Sequence, residues 1–212
     1  MILAHREVDG TGNVLEQLLS EHLYEVGKRA GKIGKQIGLK AFMKLTGFLH
    51  DVGKADRNFQ EYIQGQTKQR VNHSSAGGRI LEDLICSISE FAEVKSSRQF
   101  RYFQEIMTYV IFAHHGLYDQ INYGDTELNS SLRYHYDDEG DYHYKEDIIP
   151  FVQSFGINLH EKGEEPFTKL IKAAFEEFKV IYDSLLSLSR KNIDKEMQRE
   201  EKEYYMACLT RL

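Results

Sequence analysis

Histidine and aspartate carry the chemistry that can be read from this chain. Nine histidines stand in 212 residues, and His50 is followed directly by Asp51. A carboxylate is a hard donor able to bridge two cations, whereas imidazole suits transition ions. Adjacent side chains on a helix project about 100° apart. His50 and Asp51 can therefore serve one pocket only where a helix ends or faces a cavity. The stretch Leu49-His50-Asp51-Val52-Gly53-Lys54 offers such an end. It closes an apolar run, Phe42, Leu45, Phe48 and Leu49, and Gly53 is expected to stop the helix as a left-handed C-cap. A single His-Asp pair at a helix end is an ordinary solvated terminus. The remaining histidines change that reading. His22, His50, His73, and His114 with His115 come from four separate helical segments, each at a helix end or on an apolar face. One histidine on an apolar face is usually a satisfied core residue. Several buried imidazoles cost free energy unless each has a partner, and a metal centre supplies a partner to all of them at once. Two cations sharing a carboxylate suit phosphodiester cleavage, since one generates hydroxide and both stabilise the attacking and leaving oxygens.

Helices must bring these residues together. Residues 14–37 carry Leu15, Leu18, Leu19, Val26, Ala30, Ile33 and Ile37 at helical spacing, with His22 on the stripe. Asn13 is a candidate N-cap for this helix, after an irregular lead-in over residues 1–12. Gly27, Gly31 and Gly34 each cost a helix about 1 kcal/mol, which close approach of another helix would explain. A second helix covers residues 40–51, and a short third starts at Asp56 or Asn58. Ser74 is placed to cap a fourth, with His73 at its mouth and Gly77-Gly78 allowing close backbone approach. A fifth carries Phe100, Phe103, Ile106, Met107, Val110 and Ile111 and runs into Ala113-His114-His115-Gly116. Residues 117–163 show the least regularity. Within them, Asp137-Asp138-Glu139-Gly140-Asp141 lacks the spacing of a calcium loop and is a solvated acidic stretch. Pro166 opens a long helix over Phe167 to Leu185, and a last one starts near Asp194. No strand pattern exceeds four residues.

Composition bounds the rest. Hydrophobic content of 41%, charge content of 28% and only 2 prolines describe a globular, helix-rich chain, long enough for one good core or at most two small domains. No apolar run approaches the ~20 residues of a membrane span, and residues 1–13 hold no secretory signal. Cys86 and Cys208 lie in apolar patterns and are expected to be buried thiols of a cytoplasmic protein. Net charge is −6, which disfavours a duplex-binding surface. The imbalance is uneven: residues 1–80 carry +4 and residues 81–212 carry −10. There is no phosphate-binding glycine loop and no nucleophile elbow.

The motifs Ala4-His5, Glu21-His22-Leu23, Leu49-His50-Asp51-Val52-Gly53-Lys54, His73-Ser74 followed by Gly77, and Ala113-His114-His115-Gly116 together resemble the HD superfamily of metal-dependent phosphohydrolases. The His-Ser-x-x-Gly and Ala-His-His-Gly pieces narrow the resemblance. It points to the HD nuclease domain of the CRISPR-associated helicase-nuclease of type I interference systems. The resemblance implies one all-α HD domain over residues 1–212, with a di-metal site between helices. It implies a metal-dependent endonuclease or exonuclease that cuts single-stranded DNA in antiviral defence. Catalysis would rest on His50, Asp51 and Lys54. One metal would take His22, His50 and Asp51, and the other Asp51, His73, His114 and His115. Lys54 and Ser74 would lie near the substrate phosphate. The histidine-rich set favours iron, manganese, cobalt or nickel over magnesium. Partners would be a fused or separate ATP-driven helicase and an RNA-guided surveillance complex, with no membrane. The family completes its first metal with a late-helix Asp, and neither Asp183 nor Asp194 has a matching motif. The chain is thus expected to be a piece of a longer protein, with the His22 side less fully occupied. Two rivals stand beside this reading. One is an HD nucleotide phosphohydrolase or cyclic-nucleotide phosphodiesterase, which an enclosed nucleotide pocket would favour. The other is a non-catalytic module whose histidines hold structural metal.

Overall fold

A computed structural model describes residues 1–69, 71, 73–115 and 143–189. Its first element departs from the expected lead-in. Strands β1, Leu3–Val8, and β2, Val14–Leu18, form an antiparallel hairpin. The turn is organised by Asp9, which accepts bonds from the Thr11 hydroxyl at 2.6 Å, the Thr11 amide at 2.8 Å and the Asn13 amide at 2.9 Å. These bonds, led by the Thr11 hydroxyl, hold the Asp9 carboxyl down at about 2. Asn13 belongs to this turn and caps no helix. The apolar residues of β2 fit a helical period and a strand alternation equally poorly. Val14 and Leu15 are 48% and 60% exposed, so burial left no alternating signature to read.

Seven α-helices follow among the described residues. Helix α1, Leu19–Gly34, buries Leu19, Leu23, Gly27, Gly31 and Gly34, about one per turn. A short 3₁₀ turn and Gly38, at φ 76°, reverse the chain into α2, Lys40–Leu49. The two helices form an antiparallel pair that meets at glycine. A Cβ on Gly47 would fall 2.7 Å from the Gly27 Cα, and one on Gly27 would fall 2.1 Å from the Phe48 ring. The expected packing reason for these costly glycines is therefore present. No side chain of its own first turn caps α2. The Glu177 carboxylate does so across the fold, accepting the Ala41 amide at 2.7 Å and the Phe42 amide at 3.0 Å.

Helix α3, Arg57–Ile63, is capped by Asp56 through the Asn58 amide at 2.8 Å. Helix α4, Ser75–Cys86, packs on α5, Arg98–Phe112, whose N-cap is Ser97. Ser74 holds the N-cap position of α4, but its side chain makes no capping bond. Cys86 is exposed, against expectation: it ends α4 where the helix leaves the core. Helix α6, Ile149–Glu161, arises in the stretch read as irregular, preceded by a π-helical turn at Tyr144–Ile148. Ile148, Val152, Phe155 and Leu159 recur at helical spacing and are all buried. Proline in the first turn suits the position. Helix α7, Phe167–Ser189, follows Pro166 as expected. Cys208, the acidic stretch at 137–141 and the last helix from Asp194 lie outside the described residues.

The core lies between α2, α5 and α7. Phe42, Phe100, Phe103, Phe175 and Phe178 stack or meet edge to face with centroids 5.1–6.3 Å apart. Aromatic pairs of this kind add about 0.5–1.5 kcal/mol each beyond their buried area. Among the described residues, no helix is long and apolar enough to cross a membrane. The fold is an all-α bundle with one small hairpin at its edge.

Candidate metal centre

The His-Asp motif does sit where a helix ends. Helix α2 stops at Leu49, His50 keeps helical backbone, and Asp51 leaves it at φ −115°, ψ 13°. A 3₁₀ turn, Val52–Ala55, carries the chain onward. Gly53 therefore acts differently from expectation. Its φ is not positive; instead a Cβ there would fall 2.1 Å from the His73 carbonyl oxygen. Gly77 does the same one motif later, where a Cβ would fall 2.1 Å from the Leu49 carbonyl oxygen and 2.8 Å from the Ile111 side chain. The two glycines let the end of α2, the start of α4 and the end of α5 converge on one point.

Asp51 is that point. It is 3% exposed and four imidazoles surround it. His22 Nε2 lies 3.1 Å and His50 Nε2 3.2 Å from Oδ2. His73 Nε2 lies 3.3 Å and His114 Nε2 3.1 Å from Oδ1. Position follows from packing: His22 sits near the start of α1 and His50 at the end of α2, on the same side of the Gly27–Gly47 crossing, so their Nε2 atoms come within 3.2 Å. Burial pushes the Asp51 carboxyl up; Nε2–H groups donated by His114, His22, His50 and His73 would outweigh this and hold it far below the usual carboxylate range, were those nitrogens protonated.

The other ring nitrogens decide what these contacts mean. His50 Nδ1 donates to the Gly47 carbonyl at 2.9 Å, and His114 Nδ1 to the Ile111 carbonyl at 2.6 Å. His73 Nδ1 lies 3.4 Å from the Val71 carbonyl. A carbonyl only accepts, so each such Nδ1 carries the proton. In the neutral ring, Nε2 is then a lone pair aimed at a carboxylate oxygen. Lone pair facing lone pair is repulsive unless a cation lies between. The alternative, several imidazolium ions packed around one buried carboxylate, would incur like-charge repulsion and desolvation together. Nitrogen and oxygen ligands about 2.1 Å from one ion stand about 3 Å apart when adjacent, matching the observed separations. The donor set fits divalent metal on both oxygens of Asp51. His5, His22 and Asp51 form one candidate ligand group, and Asp51, His73 and His114 a second.

Lys54 is 5% exposed, and its ammonium meets Asp51 Oδ2 at 2.8 Å. Ser74 is half-buried beside His73. The backbone of His115 closes the 3₁₀ turn Ala113–His115, and its side chain lies outside the described residues. Asp183, weighed as a possible ligand, is exposed on α7 and accepts from the Gln99 side chain at 3.1 Å.

Sequence reading passed over three features. Gln60 accepts the Leu3 amide at 2.9 Å and donates to the Leu3 and Lys54 carbonyls at 2.8 and 2.7 Å, tying β1 to the turn after Asp51. Asp56, fully buried, accepts the His143 amide at 2.6 Å and contacts its Nδ1 at 3.2 Å. Asp147 beside it takes Arg57 at 2.8 and 3.0 Å. With those partners engaged, the Asp56, His143 and Asp147 group is a joint between the HD turn and the π-helical turn. The third feature is the placement of His5, which the Ala4-His5 motif names without a role: exposed as a residue, it stands edge-on to the His22 ring with centroids 4.8 Å apart. No spacing rule marks any of these; Leu3, His143 and Asp147 lie 57 to 90 residues from their partners, and His5 lies 17 from His22.

A helical bundle that gathers histidines around a helix-end His-Asp pair has the architecture of the HD metal-dependent phosphohydrolases. The family model described as "Cas3, HD domain" matches residues 8–200, and the chain belongs to that family. It is a metal-dependent nuclease domain of the HD type, acting on nucleic acid in CRISPR antiviral defence. No curated protein matches the chain.

Proposed function

We propose that this domain cleaves single-stranded DNA with two divalent ions flanking Asp51. The observation that supports this most is the division of four imidazoles between the two carboxylate oxygens, His22 and His50 on Oδ2, His73 and His114 on Oδ1. His115 joins the second set. The bound ions supply Lewis acidity and an activated water. The protein's part is to hold His50, His73 and His114 in one tautomer through backbone carbonyls, which keeps Nε2 available as a ligand. His50 and Asp51 are the central ligands. Lys54, bonded to Asp51 Oδ2, and Ser74, beside His73, would contact the substrate phosphate. The four described imidazole side chains retain 12–16% exposure, enough for a phosphate to reach them. Nitrogen-rich ligation favours iron, manganese, cobalt or nickel over magnesium.

A single strand suits a domain of net charge −6 better than a duplex, which needs an extended basic surface. Cutting should show no marked sequence preference, because no stretch of the sequence resembles a base-reading helix. In the cell, an ATP-driven helicase, fused or separate, would feed the strand displaced by an RNA-guided surveillance complex in the cytoplasm. Incubation of metal-loaded protein with circular single-stranded DNA, blunt duplex and a panel of free and cyclic nucleotides tests this. Manganese-dependent cutting of the circle is the expected result. Preferential turnover of blunt duplex or of a nucleotide would replace this reading.

A further inference from the structure

We propose that His5 is a metal ligand, joining His22 and Asp51 at the ion position on the Oδ2 side. The inference rests on the two-ion reading above and assigns a residue to it. Three observations carry it. First, β1 is bulged at this point. Leu3 pairs with Leu18 and His5 with Gln17, so two steps along β1 match one along β2, and Ala4 is the extra residue. Leu3 and Ala4 are both buried, at 3% and 1%, which a regular alternating strand would not allow. Bulges re-aim side chains beside functional sites. Second, the re-aimed ring meets His22 edge-on, 4.8 Å between centroids at 76°. Donor atoms of His5, His22 and Asp51 lie within 4.8 Å of one another. That is a few tenths of an ångström beyond the ~4.2 Å reachable by two opposed ligands of one ion, a gap that a small ring rotation closes. Third, the strand is held there by contacts with the site's own supports. Gln60 ties both Leu3 backbone groups to the Lys54 carbonyl, and the Leu19 amide at the head of α1 donates to the Ile2 carbonyl at 2.9 Å.

An ordinary surface histidine needs none of these constraints. With His5 counted, the Oδ2 side holds three imidazoles and a carboxylate oxygen from within this chain. The β1–β2 hairpin thereby becomes part of the metal centre.

Titration of the metal-free protein with Mn²⁺ and with Co²⁺, following heat and the visible cobalt bands, tests this in wild type, His5→Ala, His5→Gln, His22→Ala and His73→Ala. Wild type should take two ions. His5→Ala and His5→Gln should each weaken one ion by about 100-fold and alter the cobalt bands of that site only. This ion should be the one lost in His22→Ala and retained in His73→Ala. The thermal midpoint of either metal-free His5 variant should stay near that of wild type, because the side chain is exposed. Two ions bound with wild-type affinity and unchanged cobalt bands in both His5 variants would overturn the assignment and leave the two-ion reading standing. A wild-type protein that takes fewer than two ions, or His22→Ala and His73→Ala variants that lose none, would overturn both.

Discussion

The two oxygens of Asp51 face differently built surroundings. On the Oδ2 side stand His22 and His50, from the antiparallel pair α1 and α2, together with the Lys54 ammonium. These residues span 33 positions, and their meeting follows from one short reversal and a glycine crossing. On the Oδ1 side stand His73 and His114, from the mouth of α4 and the end of α5. They join the centre only because the backbones at Gly53 and Gly77 admit neighbouring carbonyls at distances no side chain permits. The first side is largely local helix-hairpin geometry, and the second is tertiary packing. One carboxylate can therefore couple two sites that depend on different parts of the fold.

The largest disturbance removes what the two sides share. Asp51→Asn should abolish binding of both ions and lower DNA cleavage by about 10³-fold or more. It should also destabilise the protein by roughly 3–5 kcal/mol, since it leaves the buried Lys54 ammonium without its charge partner. Isothermal titration and denaturant melts read the two effects separately. Near wild-type cleavage in the variant, with manganese supplied, would remove Asp51 from the centre.

Gly77→Ala should disturb one side more than the other. The new Cβ would press on the Leu49 carbonyl and the Ile111 side chain. Overpacking of this kind costs about 1–3 kcal/mol. The shift of α4 should carry His73 away from Oδ1 and weaken that ion, while the ion near His22 keeps most of its affinity. Equal loss on both sides would mean that the sides are not separable.

A smaller change sharpens the contrast from the other direction. Lys54 competes for Oδ2, its ammonium 2.8 Å away. A hydrogen bond to a charged group is worth about 1.5–3 kcal/mol. Lys54→Met should therefore raise the affinity of the Oδ2-side ion about tenfold and leave the Oδ1-side ion unchanged. Turnover should fall at the same time if Lys54 meets the phosphate. A variant with unchanged affinity and unchanged turnover would reduce Lys54 to a packing role.

The edges of the fold respond to acid. Glu164 accepts from Lys44 and Lys28, joining the turn between α6 and α7 to α1 and α2. Burial pushes its carboxyl up, but the two ammonium groups outweigh this and leave it lowered from its ordinary 4.5. A depressed folded value stabilises above the unfolded value and is lost as pH falls below it. Glu164→Gln should thus cost about 1–3 kcal/mol at pH 7 and progressively less below about pH 4.5. Melts of the two proteins at pH 7 and pH 3.5 check the convergence.

Sequence by itself determined the helical character, the motif residues and the family they resemble. Helix positions for α2, α4, α5 and α7 follow from apolar periodicity, helped by Ser97 before α5 and Pro166 before α7, signals that act within a few residues along the chain. His22, His50, Asp51, His73 and His114 are legible because buried imidazoles need partners wherever they fall. Other features had no local signature. The β1–β2 hairpin exposes the apolar residues of β2, so alternation never appears, and its bulge is a property of pairing. Gln60, Asp56 and Glu177 act on backbone 57 to 136 residues away. Gly53 and Gly77 read as helix punctuation, yet their role is to yield space to another segment's carbonyl. Which oxygen of Asp51 each imidazole faces was decided by tertiary structure, because it depends on which helix ends reach a single carboxylate and from which side.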